Sequence, residues 1–295
     1  MIMINKSVSL IIPAYNEEKA IAGSLENISS FMKSNFSDFE ILVVNDASSD
    51  RTAEEVSKFA EVKLISHPYN KGNGATVRTG IRNASKEFVV MMDADGQHDI
   101  KDILGITDLL GVYDCVVGAR TETSEGSFHR NLANKFYNYL ASYVTNLKIE
   151  DLTSGYRGFK TSVIKKFLYL FPNGFSYPTT STLAIIKGGY NLKYYPIHAK
   201  KRIGKSKIRL FRDGFRFLLI IVKISILFSP LKIFLPVSML FAAGGVIHMF
   251  YKIILLGARY TQFSIFLISV GVIIFLIGLL SEQIATLRFD KVEED

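Results

Sequence analysis

Apolar runs typical of buried strands alternate with helical patterns over residues 1–118. The runs predict strands at Val8–Pro13, Glu40–Val44, Val62–Ser66, Phe88–Met92 and Cys115–Gly118. The patterns between them predict helices at Glu17–Met32, Thr52–Ala60, Gly74–Ala84 and Ile100–Leu110. This order predicts an α/β domain with a doubly wound, mostly parallel sheet. Ligands of such sheets bind beyond the carboxyl ends of the strands.

Two long apolar segments close the chain. Residues 233–251 contain no charged side chain, and after Lys252 the apolar run continues to Ala258; residues 260–281 contain none either. A bilayer core needs about 20 helical residues. We therefore expect transmembrane helices at 233–258 and 260–281, joined in a tight hairpin, and a short charged tail at 282–295. Two buried helices of a soluble protein are the alternative.

The net charge of +8 is concentrated in the middle of the chain. Residues 152–232 contain 16 Lys and Arg against a single acid, Asp213, whereas residues 1–151 contain 15 against 21 Asp and Glu. A basic block before a hairpin favours an anionic membrane surface, and the positive-inside rule places the large N-terminal domain and both termini in the cytoplasm. The domain is expected to span 1–207, and the periodic cations of 208–232 predict amphipathic helices in the interface.

Composition excludes several classes of protein. Hydrophobic residues make up 48% of the chain, which excludes a disordered protein. The single cysteine, Cys115, excludes a disulfide framework and a Cys-based metal site. No P-loop or dinucleotide fingerprint is present.

Polar clusters follow the first, second and fourth predicted strands. Residues 13–17 and 45–50 fit either ligand contacts or ordinary loop and helix-cap chemistry. The third cluster includes Asp93, Asp95 and Gln97. In an extended chain Asp93 and Asp95 point to the same side, where two carboxylates repel unless a cation lies between them. Such oxygen ligands suit Mg²⁺ or Mn²⁺, ions that typically bridge phosphates; a solvated acidic loop is the alternative.

Six short motifs resemble those of family-2 glycosyltransferases, specifically enzymes like the dolichol-phosphate mannose and glucose synthases. They are Pro13-Ala14-Tyr15-Asn16-Glu17, Val44-Asn45-Asp46, Asp93-Ala94-Asp95-Gly96-Gln97-His98, Gly118-Ala119-Arg120, Thr153-Ser154-Gly155-Tyr156-Arg157 and Arg202-Ile203-Gly204-Lys205-Ser206-Lys207. The resemblance covers residues 7–232 and extends into the hairpin. It implies a GT-A type fold. It also implies inverting transfer of one sugar from a nucleotide diphosphate sugar, of the GDP-mannose or UDP-glucose type, to a polyprenyl (dolichyl or undecaprenyl) phosphate.

The resemblance also assigns roles to individual residues. It implies nucleotide-sugar contacts from Pro13, Tyr15, Glu17, Asp46, Asp93 and Ser206. It implies metal ligands at Asp95 and Gln97 with Asp93 beside them. The acceptor's phosphate is expected at Arg120, Arg130 and Ser154, with Arg157 in the same cleft. The resemblance also implies a flexible loop with Arg202, Ser206 and Lys207 that closes on the donor. The catalytic residues that it implies are Asp93, Asp95, Arg202 and Lys207.

Two departures from the family pattern bear on the substrates. Relatives often have an acid where this chain has Asn45, which leaves uracil and guanine donors both open. Many also have a Glu-Asp pair as general base near Phe175–Leu183, a stretch that contains no carboxylate here. A sugar hydroxyl needs such a base, whereas a phosphate does not.

Other readings remain open at this point. One is the same fold acting on a glycolipid or polysaccharide hydroxyl, and another is a non-catalytic membrane protein that binds nucleotide sugars. A nucleic-acid binder would explain the charge but not the hairpin, so no nucleic-acid partner is expected. The sugar, the polyprenol, the choice of Mg²⁺ or Mn²⁺ and the oligomeric state do not follow from the sequence.

Overall fold

The structure is a computed structural model. It describes residues 4–93, 96, 98–121, 128–174, 176–198, 219, 222, 223, 225–257 and 261–293. Side chains are described at these positions except residues 4, 128–134, 256 and 288–293. The chain divides into two compact units, residues 1–214 and 215–295.

The first unit is built on a seven-stranded sheet. Its strands are β1 (Ile4–Ala14), β2 (Phe36–Asn45), β3 (Val62–Ser66), β4 (Phe88–Met91), β5 (Cys115–Arg120), β6 (Arg157–Lys160) and β7 (Leu192–Ile197), in the order β3-β2-β1-β4-β6-β5-β7. β6 runs antiparallel to both of its neighbours, and the other pairs are parallel. Six strands therefore end at one edge of the sheet, which is also the edge where β6 begins.

Seven helices connect the strands and cover both faces. They are α1 (Ile21–Asn35), α2 (Thr52–Ser57), α3 (Asn73–Asn83), α4 (Asp102–Leu109), α5 (Phe128–Thr145), α6 (Thr161–Lys166) and α7 (Tyr177–Lys187). Alternate residues of the central strands point to opposite faces. Leu10 and Ile12 of β1 join a core with α1, α2 and α4. Ile11 lies on the opposite face, where it packs under Gly80 of α3.

The predicted GT-A type α/β fold is confirmed, with a sheet that is mostly parallel. The five strands expected before residue 119 are all present, and the four expected helices form within a few residues of their predicted bounds. The sequence pattern does not predict β6, because four residues are too few to show an alternation. It also does not predict β7, which is the edge strand next to β5.

The start of β6 is held by a fully buried arginine. Arg157 has no exposed surface. Its Nε and Nη2 groups donate to the carbonyl of Ser154, and Nη1 donates to the Pro178 carbonyl at 2.7 Å. Nη1 also reaches Ser181 Oγ at 2.8 Å and Thr182 Oγ1 at 3.1 Å. The side chain thus joins the loop before β6 to the first turns of α7.

The second unit contains two long helices. The first hairpin helix spans Leu231–Leu256 and the second hairpin helix spans Gln262–Glu293. Within the described residues these two helices are long and apolar enough to cross a membrane, with mean hydropathies of 1.9 and 2.9. The second hairpin helix continues to Glu293, so most of the charged segment that the sequence predicts as a tail is helical. The predicted interfacial segment 208–232 lies largely outside the described residues.

Small and polar residues hold the two hairpin helices together. A side chain at Gly271 would lie 2.8 Å from the Ser238 carbonyl oxygen, so only glycine permits this close approach. His248 Nδ1 lies 2.8 Å from Ser264 Oγ across the pair. Glu282 accepts a hydrogen bond from the Leu231 backbone N–H at 3.0 Å and so caps the first hairpin helix. Close backbone packing and hydrogen bonds are the usual forces between helices in lipid.

The buried arginine leads to a prediction about stability. Arg157→Met fills a similar volume but leaves the Ser154 and Pro178 carbonyls without their donors. We expect the free energy of unfolding to fall by about 3 kcal/mol, since a buried group left unpaired is costly. Denaturant unfolding of the first unit, followed in detergent on the full chain, measures this. The control is Arg82→Met on exposed α3 surface, which should stay within about 0.5 kcal/mol of the wild type; equal effects of the two substitutions would contradict the bracing role.

Candidate active site

Polar residues collect at the edge of the sheet where the parallel strands end. Asp46 directly follows β2, Asp93 is the second residue after β4, and Arg120 is the last residue of β5. Ser154 lies just before β6, which starts at the same edge. The expected convergence of these residues on the carboxyl edge follows from the observed topology.

The loops after β1 and β2 are bonded to each other. The Asn16 backbone N–H donates to Ser48 Oγ at 3.0 Å, and Asn16 Oδ1 accepts the Ser49 N–H at 2.9 Å. Asn16 and Ala47 both adopt a φ of 55°, a strained value for a residue with a side chain. The Glu17 N–H donates to Thr52 Oγ1 at 2.9 Å. These bonds fix the backbone around the predicted donor contacts.

The side chains predicted to touch the nucleotide differ in exposure. Tyr15 is 45% exposed at the tip of the loop, where its ring is free to stack on a ligand. Pro13 and Glu17 are half-buried beside it. Of these three side chains, Tyr15 is therefore the most accessible to a ligand.

Asp46 is buried and engaged within the protein. Its Oδ1 accepts the Lys71 backbone N–H at 2.8 Å and lies 2.7 Å from Nδ1 of His67, while its Oδ2 accepts the Gly72 N–H at 2.8 Å. His67 Nε2 is in turn 2.9 Å from Thr79 Oγ1 on α3. Asp46 therefore fixes the loop that leads into α3. The sequence analysis missed His67, because a histidine after an edge strand has no distinguishing spacing.

Asp93 lies between β4 and the start of β6. A side chain at Gly155 would come within 2.9 Å of Asp93 Oδ2, so the glycine makes room for the carboxylate. Burial and the negative charge of Asp93 raise the pKa of Tyr177, whose hydroxyl is 3.4 Å from the Gly155 carbonyl. Burial lowers the pKa of Arg120, and the charge of Asp93 is among the causes that raise it. The carboxylate is thus part of a charged network at the edge of the sheet.

The other predicted metal ligands, Asp95 and Gln97, lie outside the described residues. Within the part of the chain that the structure describes, no group of three or more His, Cys, Asp or Glu side chains is arranged to hold a metal. Gly96 between the two ligands has a φ of 70°, which turns the chain sharply. The carboxylates of Asp93 and Asp95 and the amide of Gln97 form an all-oxygen donor set that fits Mg²⁺ or Mn²⁺.

Arg120 forms a bidentate ion pair at the end of β5. Its Nε and Nη2 donate to the two carboxylate oxygens of Asp151, each at 2.8 Å, and Nη2 also donates to Thr153 Oγ1 at 2.6 Å. Burial raises the pKa of Asp151, but the hydrogen bonds from Arg120 outweigh it and the pKa lies below its ordinary value. Burial lowers the pKa of Arg120, and the pair with Asp151 raises it above its usual range. Both groups are therefore charged and fixed in position.

Ser154 and Arg157 differ in what they can offer a ligand. Ser154 is 2% exposed, and its Oγ is buried with no hydrogen-bond partner among the described residues. Arg157 is fully buried, and its donors are used by the Ser154 loop and α7. The described geometry therefore gives Arg157 a bracing position instead of the substrate-cleft contact that the sequence analysis expects.

The remaining predicted site residues are described only in part. Arg130 lies in the first turn of α5, and its side chain is outside the described set. Arg202, Ser206 and Lys207 fall outside the described residues altogether. Their roles stay predictions.

A second polar group, formed by Asp99, Asp102 and His198, lies near the same edge and is not predicted from the sequence. Asp102 begins α4, and burial together with the charge of Asp99 raises the pKa of its carboxyl, while nearby His198 lowers it. The Tyr156 hydroxyl donates to the Asp99 carbonyl at 3.3 Å. A carboxyl with a raised pKa in a cleft is a candidate general base. Nothing in the spacing of these residues along the chain indicates that they meet.

The model of glycosyl transferase family 2 matches residues 9–168, which is more than half of the chain. The model of the GtrB C-terminal hairpin matches residues 229–287. The two matches correspond to the sheet with its edge loops and to the two hairpin helices.

Curated relatives include proteins named for polyprenyl-phosphate sugar transfer. An uncharacterised protein of Methanocaldococcus jannaschii is 31% identical over 66% of this chain and 82% of its own length. A dolichyl-phosphate beta-glucosyltransferase of Trichomonas vaginalis is 42% identical, and this match spans 32% of each chain. An undecaprenyl-phosphate 4-deoxy-4-formamido-L-arabinose transferase of Photorhabdus laumondii is 24% identical over 97% of this chain and 90% of its own.

Solved structures show the same fold. Glucosyl-3-phosphoglycerate synthase of Mycobacterium tuberculosis, in complex with Mn²⁺, UDP and phosphoglyceric acid, superimposes with a TM-score of 0.60 at 14% identity. The superposition covers 75% of this chain and 78% of that one. With the family match over residues 9–168 and the hairpin match over 229–287, the chain belongs to glycosyltransferase family 2 and carries a GtrB-type C-terminal hairpin.

Proposed function

We propose that the protein transfers one sugar from a nucleotide diphosphate sugar to a polyprenyl phosphate, with inversion at the anomeric carbon in a single displacement. The observation that carries the proposal is the corner formed by Arg120 and Ser154. A cation there is locked by Asp151, and a buried hydroxyl beside it lacks a partner among the described residues. A phosphate monoester needs such donors to hold it. The relatives named for polyprenyl-phosphate transfer support the same class of acceptor.

Arg120 is suited to hold a phosphate while remaining in its ion pair. Among the described residues, its hydrogen bonds use Nε and Nη2, which makes Nη1 the group that faces an incoming ligand. Because Asp151 fixes the guanidinium in advance, little reorganisation is needed when charge arrives. We place the acceptor phosphate between Nη1 of Arg120 and Oγ of Ser154, with Arg130 as the third donor.

The donor binds across the loops after β1 and β2. Tyr15 stacks on the base, with Pro13 and Glu17 beside it. Asp46 acts through the backbone of Lys71 and Gly72, whose positions it fixes, and this role differs from the direct contact that the resemblance implies. GDP-mannose and UDP-glucose types of donor both fit this arrangement.

A divalent cation fits the loop after β4. Asp93, Asp95 and Gln97 would hold Mg²⁺ or Mn²⁺, which would neutralise charge on the leaving diphosphate. Arg202 and Lys207 add positive charge, and Ser206 a hydrogen bond, when their loop covers the donor. Tyr177 and Gly155 keep Asp93 in place on the side of the acceptor.

The basic block and the hairpin set where the reaction occurs. The GtrB-type hairpin and two apolar helices indicate a membrane protein. We place the catalytic unit and both termini on the cytoplasmic side, since Lys and Arg are concentrated next to the first hairpin helix. Both substrates are then met at the membrane surface.

One observation favours a second acceptor. Asp102 is a carboxylate with a raised pKa at the same edge of the sheet, which is what transfer to a glycolipid or polysaccharide hydroxyl requires. Asp102 lies on α4, which shares a core with α1 and α2 on one face of the sheet. Tyr177, whose pKa is raised by the charge of Asp93, lies on α7, which is not part of that core. This separation favours the phosphate acceptor.

The proposal is tested by pairing each donor with two acceptors of equal chain length. Full-length protein in detergent is given UDP- or GDP-sugars with polyprenyl phosphate or the corresponding free polyprenol. We expect a sugar-lipid product with the phosphate and one class of donor, and none with the alcohol. Transfer to the polyprenol or to a glycolipid hydroxyl, without transfer to the phosphate, would overturn the proposal.

The dependence of rate on pH separates the two acceptors. If the lipid phosphate is the nucleophile, kcat/KM should rise through about 6, where a phosphate monoester becomes a dianion. Asp102→Asn should keep this rising limb and most of the activity. A base at Asp102 would act only when deprotonated, so in that case Asp102→Asn would remove both the activity and the limb. Asp108→Asn on exposed α4 surface is the control for effects of lost charge.

Activity should depend on a divalent metal. Excess EDTA should abolish turnover, and added Mn²⁺ or Mg²⁺ should restore it. Asp95→Asn should lower kcat by at least about 100-fold, the usual effect of losing a main electrostatic stabiliser. Glu87→Gln, which removes an exposed carboxylate just before β4, should remain near wild type. Full turnover in EDTA, or an Asp95→Asn enzyme as active as wild type, is incompatible with the metal site.

A further inference from the structure

Helix α5 is apolar on two opposite faces. Its inner face packs into the first unit through Tyr137, Ala141 and Val144, which are all buried. Its outer face presents Phe136, Tyr139 and Tyr143, which are 52%, 72% and 47% exposed. At 100° per residue these three side chains fall within about 60° on the helix. A helix that is apolar on its outer face as well normally has a second apolar environment.

The exposed apolar side chains of the first unit are concentrated here. Leu147, just after α5, is also 55% exposed. We call Phe136, Tyr139, Tyr143 and Leu147 the α5 stripe. These are four of the eight exposed large apolar side chains in the described part of residues 1–214, and the others lie singly. Isolated exposed apolar residues are ordinary, whereas a contiguous set marks a contact surface.

Lysines flank the α5 stripe. Lys135 and Lys148 are exposed at its two ends. They line an open groove of about 580 Å³ together with Tyr139, and Glu150 is the acid at its rim. Tyrosine rings with basic side chains beside them are typical of segments that lie at the boundary between lipid headgroups and acyl chains. Lysine is depleted from protein–protein interfaces.

The size of the α5 stripe also argues against a protein partner. Three half-exposed aromatic rings and a leucine offer on the order of 400 Å² of apolar surface. A stable protein–protein interface buries about 800 Å² on each partner. Insertion into a bilayer requires no such minimum area, and the two candidate membrane helices of this chain hold a bilayer close to the first unit. The first hairpin helix begins 17 residues after Gly214, a distance of at most about 60 Å when fully extended.

We propose that the α5 stripe inserts into the headgroup–acyl boundary of the bilayer, with Lys135 and Lys148 on anionic headgroups. The contact is a second membrane attachment, separate from the hairpin. It places α5, which follows the Arg120 strand, against the lipid surface. The inference concerns a surface and does not depend on the proposed reaction.

The chain contains no tryptophan, so a single introduced tryptophan is an unambiguous reporter. Tyr139→Trp reports on the α5 stripe, and Leu147→Trp is a second reporter at its end. Tyr69→Trp is the control, since Tyr69 is 65% exposed in the loop after β3. The full chain is placed in nanodiscs with anionic lipid, with or without lipids brominated near the top of the acyl chain. Emission is also measured with a water-soluble quencher, and no substrate is present.

We expect brominated lipid to quench Tyr139→Trp and Leu147→Trp, both of which should resist the water-soluble quencher. Tyr69→Trp should show the reverse. Quenching of both stripe reporters by the water-soluble agent alone would show an aqueous surface and overturn the proposal. Protection from both quenchers would show that protein covers the stripe, and this also overturns it. Because no sugar transfer is measured, either outcome leaves the proposed function to its own test.

Discussion

A single buried guanidinium holds together the loop before β6 and the first turns of α7. Arg157 stands at the first position of the only antiparallel strand in the described sheet and donates to carbonyls from the loop before it and from α7. Because buried carbonyls need donors, this contact fixes the backbone of Ser154 and Gly155. Gly155 then accommodates the Asp93 carboxylate, and the neighbouring Ser154 hydroxyl is buried with no hydrogen-bond partner among the described residues. A strand that reverses direction thus brings the Ser154–Gly155 loop beside the ends of parallel strands that are followed by carboxylates.

Two of the charged groups at this edge are already held by partners within the protein. Arg120 is neutralised by Asp151, and Asp46 is satisfied by backbone donors and His67. A site in which dipoles and charges are already fixed stabilises developing charge without reorganisation. Asp102 differs from these groups, because burial and the charge of Asp99 raise the pKa of its carboxyl. A hydroxyl acceptor would need such a carboxylate as its base.

The sequence predicts much of this arrangement, and its errors have physical causes. Strands β1 to β5 follow from apolar runs, and parallel topology places the ends of those strands together, so Asp46, Asp93 and Arg120 could be assigned to one edge. The sequence predicts Arg157 as a ligand residue and does not show that its side chain is buried. That burial depends on contacts with α7, which begins 20 residues away along the chain. The Asp102 group and His67 depend on contacts between separate loops, which no spacing reveals. The family resemblance supplied the roles, and the described hydrogen bonds of Asp46 and Arg157 are made within the protein.

The central claim is that an oxygen of the lipid phosphate attacks the anomeric carbon. Polyprenyl phosphate labelled with ¹⁸O at its non-bridging phosphoryl oxygens tests it directly, with a donor sugar carrying ¹³C at the anomeric position. The account predicts ¹⁸O at the oxygen that bridges the anomeric carbon and phosphorus in the product, seen as an isotope shift of the ¹³C resonance. A product in which that carbon is bonded only to ¹⁶O would contradict the account, since the sugar would then have been attacked by a different oxygen.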